Sequence, residues 1–306
     1  MNSPVVKNLS QILESDYIVE TSSGTAALIA ALKINNFSTD SEVIIPSVTC
    51  PAVMSAVNFS NLKPVFADME NNFFNMDIEN IKKLINKKTV CIVGVHCFGI
   101  SADINELRNI CEKNEILLIE DCCLAFGTKY EGSVLGTFGD ISIFSFGYDK
   151  LISGAGGALA LKNKKDFLKA LDIISSNSLF QVNEYKYQDI ENQFDALEST
   201  INLRNQNALK FSNFLSSDKV IIPSFRSSDV YWRYPSLFLG DRDKLIKKSL
   251  ENKTIITSHY PALSKFQFNT NLENADFFDK SLINFFVNKS ATDEYIEKII
   301  ELVNNG

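Results

Sequence analysis

Along the first half of the chain, short apolar runs alternate with stretches whose apolar positions recur every three to four residues. The runs are YIVET, EVIIP, KPVFADM, TVCIVGVH, ILLIEDC, ISIFSF and GALAL. They are apolar along their whole length rather than at every second position, which predicts strands covered on both faces, as in a mainly parallel sheet. Between them, SPVVKNLSQIL, GTAALIAALKI, DIENIKKLI and INELRNICEKN have helical spacing. In the first of these Ser3 reads as the cap and Pro4 as the first helical residue, followed by a stripe of Val5, Val6, Leu9, Ile12 and Leu13. KYEGSVLGTFG reads as a hairpin inserted before ISIFSF. The alternation predicts an α/β fold with a large domain over residues 1–186, in which a mainly parallel seven-stranded sheet is sandwiched by helices.

The texture then changes. DIENQFDALESTINLRNQNALKFSNFL reads as one long helix, YWRYPSLFLGDRDKLIKKSLENKTIITSHYP as strand, helix, strand, and TDEYIEKIIELV as a closing amphipathic helix. These predict a smaller α+β domain over residues 187–306 that includes the long linking helix. There is no internal repeat and no low-complexity tract.

Composition narrows the function. A net charge of −7 argues against nucleic acid or an anionic membrane surface as the main partner. The chain has no apolar run of about 18 residues that could span a bilayer, and its N-terminus lacks the apolar core of a signal peptide. A cytoplasmic protein is expected. Cys50, Cys91, Cys97, Cys111, Cys122 and Cys123 form no C-x-x-C pair. They are expected as free thiols, with no bound metal.

Three segments offer chemistry at strand ends. In TSSGTAALIAAL a strand turns into a helix at Ser23-Gly24-Thr25. The free amides and positive dipole end of such a helix make an anion site, which Gly24 lets a phosphate approach and to which Thr25 adds a donor. Taken alone, a Ser-capped core helix accounts for this segment equally well. ILLIEDCC ends in Glu120 and Asp121, at the end of a strand where open α/β sheets bind ligands. A carboxylate there could hold the pyridine nitrogen of pyridoxal 5′-phosphate (PLP) protonated, whereas a surface acid is the bland alternative. In FGDISIFSFGYDKLISGAGGALAL, Lys150 follows another apolar strand. It could form a Schiff base with PLP, while Ser145 bonds the phosphate and Gly154, Gly156 and Gly157 form a tight turn.

With these segments in place, the chain resembles the DegT/StrS-type family of nucleotide-sugar aminotransferases, of PLP fold type I. SSGTAAL, EVIIPSVTC, KPVFADM, VHCFGISADI, IEDCCLAFGTKYEGSVLGTFGDISIFSF, EYKYQ and SHYPALSKF follow the family patterns in order. The resemblance implies that Lys150 is the Schiff-base lysine and proton shuttle, and that Asp121 is the pyridine-nitrogen partner. It implies Gly24, Thr25, Ala26 and Ser145 as phosphate ligands. Gln188 falls where the family has an Asn reaching from the second subunit, so a homodimer with its active site at the interface is implied. The implied partners are a nucleotide-sugar and an amino donor such as glutamate.

Departures from the pattern bear on activity. Cys50 stands where the family stacks an aromatic ring or His on the cofactor, and Leu124 where it has Gln, Glu or His near it. Phe126 replaces a common His, and Gly147-Tyr148-Asp149 precedes the lysine in place of an aromatic-Pro/Ala-Thr run. The chain begins after the family's G-W-x-x-x-G-P segment, and its small domain is abbreviated. Two readings follow. An active aminotransferase is favoured by Lys150, since family dehydratases carry His there. A PLP-binding accessory or regulatory subunit, or an enzyme for a smaller keto substrate, is favoured by Cys50. With Lys150 as proton carrier, His96 and His259 are read as structural.

Overall fold

The computed structural model describes residues 3–70, 74–154, 156–182, 187–266 and 272–306. Its strands are β1 (Ile18–Thr21), β2 (Glu42–Pro46), β3 (Lys63–Ala67), β4 (Thr89–Val95), β5 (Leu117–Asp121), β6 (Lys129–Tyr130), β7 (Ser133–Val134), β8 (Ile141–Phe146), β9 (Gly156–Leu161), β10 (Val220–Ile221), β11 (Tyr234–Phe238) and β12 (Leu282–Phe285). Its helices are α1 (Pro4–Leu13), α2 (Gly24–Lys33), α3 (Pro51–Phe59), α4 (Ile78–Leu84), α5 (Ile104–Asn114), α6 (Lys164–Ser175), α7 (Tyr187–Asp195), α8 (Leu197–Phe214), α9 (Arg242–Glu251), α10 (Glu273–Ser281) and α11 (Asp293–Asn304).

Seven strands form one sheet in the order β1-β9-β8-β5-β4-β2-β3. The pairs β2–β3, β2–β4, β4–β5 and β5–β8 are parallel, and β9 runs antiparallel to both β1 and β8. Every strand of this sheet except β9 therefore ends along the same edge, where Thr21, Asp121 and Phe146 close their strands. Two apolar clusters line the sheet, one containing Val43, Val93 and Ile119, the other Ile44, Ile92 and Leu118. Neighbouring residues of β2, β4 and β5 thus fall into different clusters, as strands covered on both faces require. β6 and β7 form the expected hairpin. Among the described residues no helix is long and apolar enough to cross a membrane.

Two expectations for the C-terminal half need correction. The long helix is two, α7 and α8, meeting at Ala196. Ile190 and Phe194 of α7 bury in the cluster of Ile44 and Leu118, whereas Ala208 and Phe211 of α8 bury in the other. The break lets each helix face its own core. The strand read in TIITS contributes only an isolated bridge, Thr257 to Asn284. The partner of β11 is instead β12, and with β10 they make a three-stranded antiparallel sheet. The C-terminal chain is tied to the large sheet by Asp68, beyond β3, whose carboxylate accepts the Asn274 and Ala275 amides at the start of α10.

Candidate active site

Sheet register assembles the anion cradle. Gly157 of β9 pairs with Thr21 on one side and Ser145 on the other, so the turn after β1 and Ser145 of β8 are brought to one line. A Cβ on Gly157 would lie 2.5 Å from the Ser23 carbonyl carbon and 2.6 Å from the Gly24 nitrogen. Only glycine lets β9 pass this close beneath the start of α2. A Cβ on Gly24 would in turn lie 2.9 Å from both Cys123 Sγ and Ser145 Cβ.

Ser23 caps α2 by accepting the Ala26 amide at 3.1 Å. The helix leaves the amides of Gly24 and Thr25, its first two residues, without intrahelical partners, as every helix start does. Ser145 Oγ accepts weakly from Gly147 N–H at 3.4 Å and keeps its own hydroxyl proton for a ligand.

Asp121 closes β5 at 5% exposure. Its Oδ1 accepts the Cys123 amide at 2.9 Å, and no cation among the described residues lies within ion-pair distance of it. A buried carboxylate normally has such a partner, so this one suits a cationic group of a ligand. Burial and then the Asp121 charge push the Cys123 thiol well up, Cys50 adds to this, and Lys150 acts in the opposite sense. Cys123 thus lies against both the start of α2 and Asp121, within reach of the charges of Lys150 and Cys50.

Cys50 precedes α3 and is half-buried, and its side chain makes no capping bond. Leu124 packs against the larger core cluster and brings no polar atom to the site. Gln188 falls on the first turn of α7, but its side chain lies outside the described residues, as does most of EYKYQ. Phe126 sits edge-on to Phe144, Phe146 and Phe194 in a cluster of aromatic rings.

Lys150 lies on the loop between β8 and β9. Its Nζ stands 5.6 Å from the centroid of the Trp232 ring. The loop borders a cavity of about 1040 Å³ that Lys150 lines with Arg204, Arg233, Lys253 and Phe286. Cys50, Asp121 and Ser145 do not line that cavity. Lys150 thus lies between the sheet edge, where its charge reaches Cys123, and an open chamber lined by both basic side chains and the acids Asp149 and Asp189.

Several residues here carry no signal in the sequence. Trp232 stacks on Tyr260 with centroids 5.9 Å apart, and Arg233 pairs with Asp149 at 2.7 Å. His259 accepts from Arg233 at 3.3 Å, and burial, then the Arg233 charge, hold its pKa below the ordinary value. Only the likeness of SHYPALSKF to a family pattern hinted at this corner.

His96, Glu120 and Cys122 place ligand-type atoms within 4.8 Å of one another. Their lone pairs are already used. His96 Nδ1 accepts the Ala102 amide at 3.1 Å, which leaves the ring proton on Nε2 to be donated to Glu120 at 3.2 Å. Glu120 also accepts the amides of Gly136, Phe138 and Gly139 at 2.6–2.9 Å. The Cys122 thiol is pushed well up by burial, away from the thiolate a metal needs.

Comparison with known proteins bears on this arrangement. The model of the DegT/DnrJ/EryC1/StrS aminotransferase family matches residues 5–304. GDP-perosamine synthase of Vibrio cholerae is 36% identical over 154 residues, which are 50% of this chain and 42% of that protein. The chain's match thus spans less than half of that relative. The sugar aminotransferase CalS13 from Micromonospora echinospora superposes with a TM-score of 0.87 at 20% identity, covering 100% of this chain and 92% of the other. A DegT DnrJ EryC1 StrS aminotransferase from Brucella abortus does so at 0.87 and 19%, covering 98% and 88%. The shared fold is fold type I of PLP enzymes. With the family's pattern running through almost its whole length, this chain belongs to the DegT/DnrJ/EryC1/StrS aminotransferase family.

Proposed function

We propose that this protein is a PLP-dependent aminotransferase that passes an amino group, taken from glutamate, to a nucleotide-linked keto-sugar. The observation that carries the reading is the close approach of the α2 start at Gly24 to Ser145 and Cys123, with Asp121, a buried carboxylate without a cation among the described residues, bonded to Cys123 and the Lys150 charge reaching it. The naming of a relative as a GDP-perosamine synthase supports a nucleotide-sugar substrate. So does the size of the chamber beside Lys150, at the upper end for a small-molecule site.

In this reading the Gly24, Thr25 and Ala26 segment and the Ser145 hydroxyl hold the phosphate, and Asp121 keeps a proton on the pyridine nitrogen. Bound in this way, PLP supplies an electron sink. Lys150 holds the cofactor through its ε-amino group, then carries a proton to and from the substrate carbon. Gln188 reaches the phosphate of a second copy, so the working form is a cytoplasmic homodimer. A PLP-binding large domain over 1–186 and a small domain over 187–306 complete the proposal. The second reading, an accessory PLP-binding subunit, is favoured by Cys50, which offers no ring to the cofactor.

Borohydride decides the lysine. The protein supplied with PLP should show a visible band that borohydride abolishes, leaving the label on the peptide containing Lys150. Label on another lysine, or none despite bound PLP, would sink the assignment.

Cys50 sets how firmly the ring is held. An aromatic face over the ring gains about 0.5–1.5 kcal/mol beyond area burial, whereas a thiol offers only a small polarisable contact. Cys50→Phe is expected to tighten PLP binding by up to about tenfold in an equilibrium titration. Unchanged affinity in both Cys50→Ala and Cys50→Phe would remove Cys50 from the ring face.

A further inference from the structure

Asp149, the residue before Lys150, has a φ of 62°, in the left-handed region that an aspartate tolerates but does not favour. Two consecutive residues ahead of β11 hold it there. Trp232 donates its indole N–H to the Asp149 carbonyl at 2.7 Å. Arg233 donates one terminal nitrogen to the Asp149 carboxylate at 2.7 Å.

Both holding groups are themselves fixed. Arg233 is 7% exposed, and its guanidinium lies 4.5 Å from the Trp232 ring centroid and 4.4 Å from that of Phe286. Its other terminal nitrogen donates to Thr257 Oγ1 at 2.7 Å. Arg204, buried on α8, donates to the carbonyls of Tyr231 and Trp232 at 3.1 and 2.8 Å. The Trp232 ring that Tyr260 stacks upon is the one over which Lys150 Nζ stands. One dipeptide therefore contacts both the backbone before Lys150 and the tip of its side chain.

We propose that Trp232 and Arg233 are positioning residues for Lys150. With Asp149 they form a clamp that sets where the ε-amino group meets PLP. The inference rests on the reading of Lys150 as the attachment lysine. It accounts for a departure in this chain, since Asp149 before the lysine has its counterpart in Arg233. A surface ion pair would contribute little. This one is largely buried, bonded at both terminal nitrogens and joined in sequence to Lys150.

The test uses the full chain as Asp149→Asn, Arg233→Met and the double variant, each supplied with PLP. Three quantities are read: the rate at which borohydride-reducible label accumulates on Lys150, the visible circular dichroism of the bound cofactor, and the thermal midpoint. Removing one partner of a buried ion pair costs stability, so the thermal midpoint separates a loss of fold from a loss of positioning, and Asn keeps the shape of Asp149 should the Met variant fail to fold.

Each single variant should slow labelling of Lys150 by about tenfold, as expected for losing a charge-assisted bond. Each should also weaken the cofactor's dichroic band. The double variant should be no slower than the slower single, because one interaction is lost only once. Labelling at the unsubstituted rate in Asp149→Asn, or additive losses in the double, would overturn the clamp alone. Label on a different lysine in the unsubstituted protein would overturn the attachment reading, and the clamp with it.

Discussion

Asp121→Asn is expected to keep the fold and lose about a hundredfold to a thousandfold in turnover, the range for removing a preorganised charge from an active site. The carboxylate has no cation among the described residues and one backbone donor, Cys123 N–H, on Oδ1. Asn has the same outline, and its carbonyl oxygen can still accept that amide, so local structure has little reason to move. It removes a buried carboxylate that no described residue pairs with, so stability should hold or rise. What Asn cannot do is carry the negative charge that keeps a pyridine nitrogen protonated. The check is turnover with glutamate and a keto-sugar nucleotide, beside a thermal melt of the PLP-free protein. Turnover within a few-fold of the unsubstituted protein, with the melt unchanged, would take Asp121 out of the role.

The parts of this site that the sequence exposes are those built from strand ends. Asp121 and Lys150 each follow an apolar run, and Gly24 opens a helix straight after another. Runs that are apolar on both faces have few alternatives to a covered parallel sheet, so the polar residues that close them fall on its ligand-binding edge. The residues that hold Lys150 were hidden for the opposite reason. Asp149 meets Trp232 and Arg233 across 83 and 84 positions of sequence, and nothing local marks either partner. β12 was equally silent, since LINF becomes a strand only by pairing with β11. The break at Ala196 follows from two cores pulling on one helical stretch, which periodicity within that stretch does not report. Phe126 reads as a departure until the three rings around it are placed.

Glu120 shows the same limit in its sharpest form, and its substitution should give the reverse of the Asp121 result. In the sequence the two acids are adjacent and look alike. In the fold Glu120 is fully buried, and its two oxygens accept three amides of the turn at 136–139 and the His96 ring. Burial pushes its carboxyl up, but the His96 bond and the Gly139 and Gly136 amides outweigh it, and the net shift is downward. Glu120→Gln would turn an NH₂ toward at least one of those N–H donors, leaving donors facing each other in a dry site. Breaking a buried charged network from one side costs about 3–5 kcal/mol. The variant should therefore melt well below the unsubstituted protein at neutral pH. The pH dependence fixes the cause. A carboxyl whose folded pKa is depressed contributes stability that is present above its unfolded value, near 4.5, and is lost as pH falls through the folded value. The stability gap between the two proteins should accordingly be constant at neutral pH and narrow below about pH 4.5, where the other carboxylates titrate alike in both and cancel in the difference. Urea midpoints across pH 3–8 would measure it, and a gap that ignores acid would mean that lost packing, rather than the charge of Glu120, holds the hairpin in place.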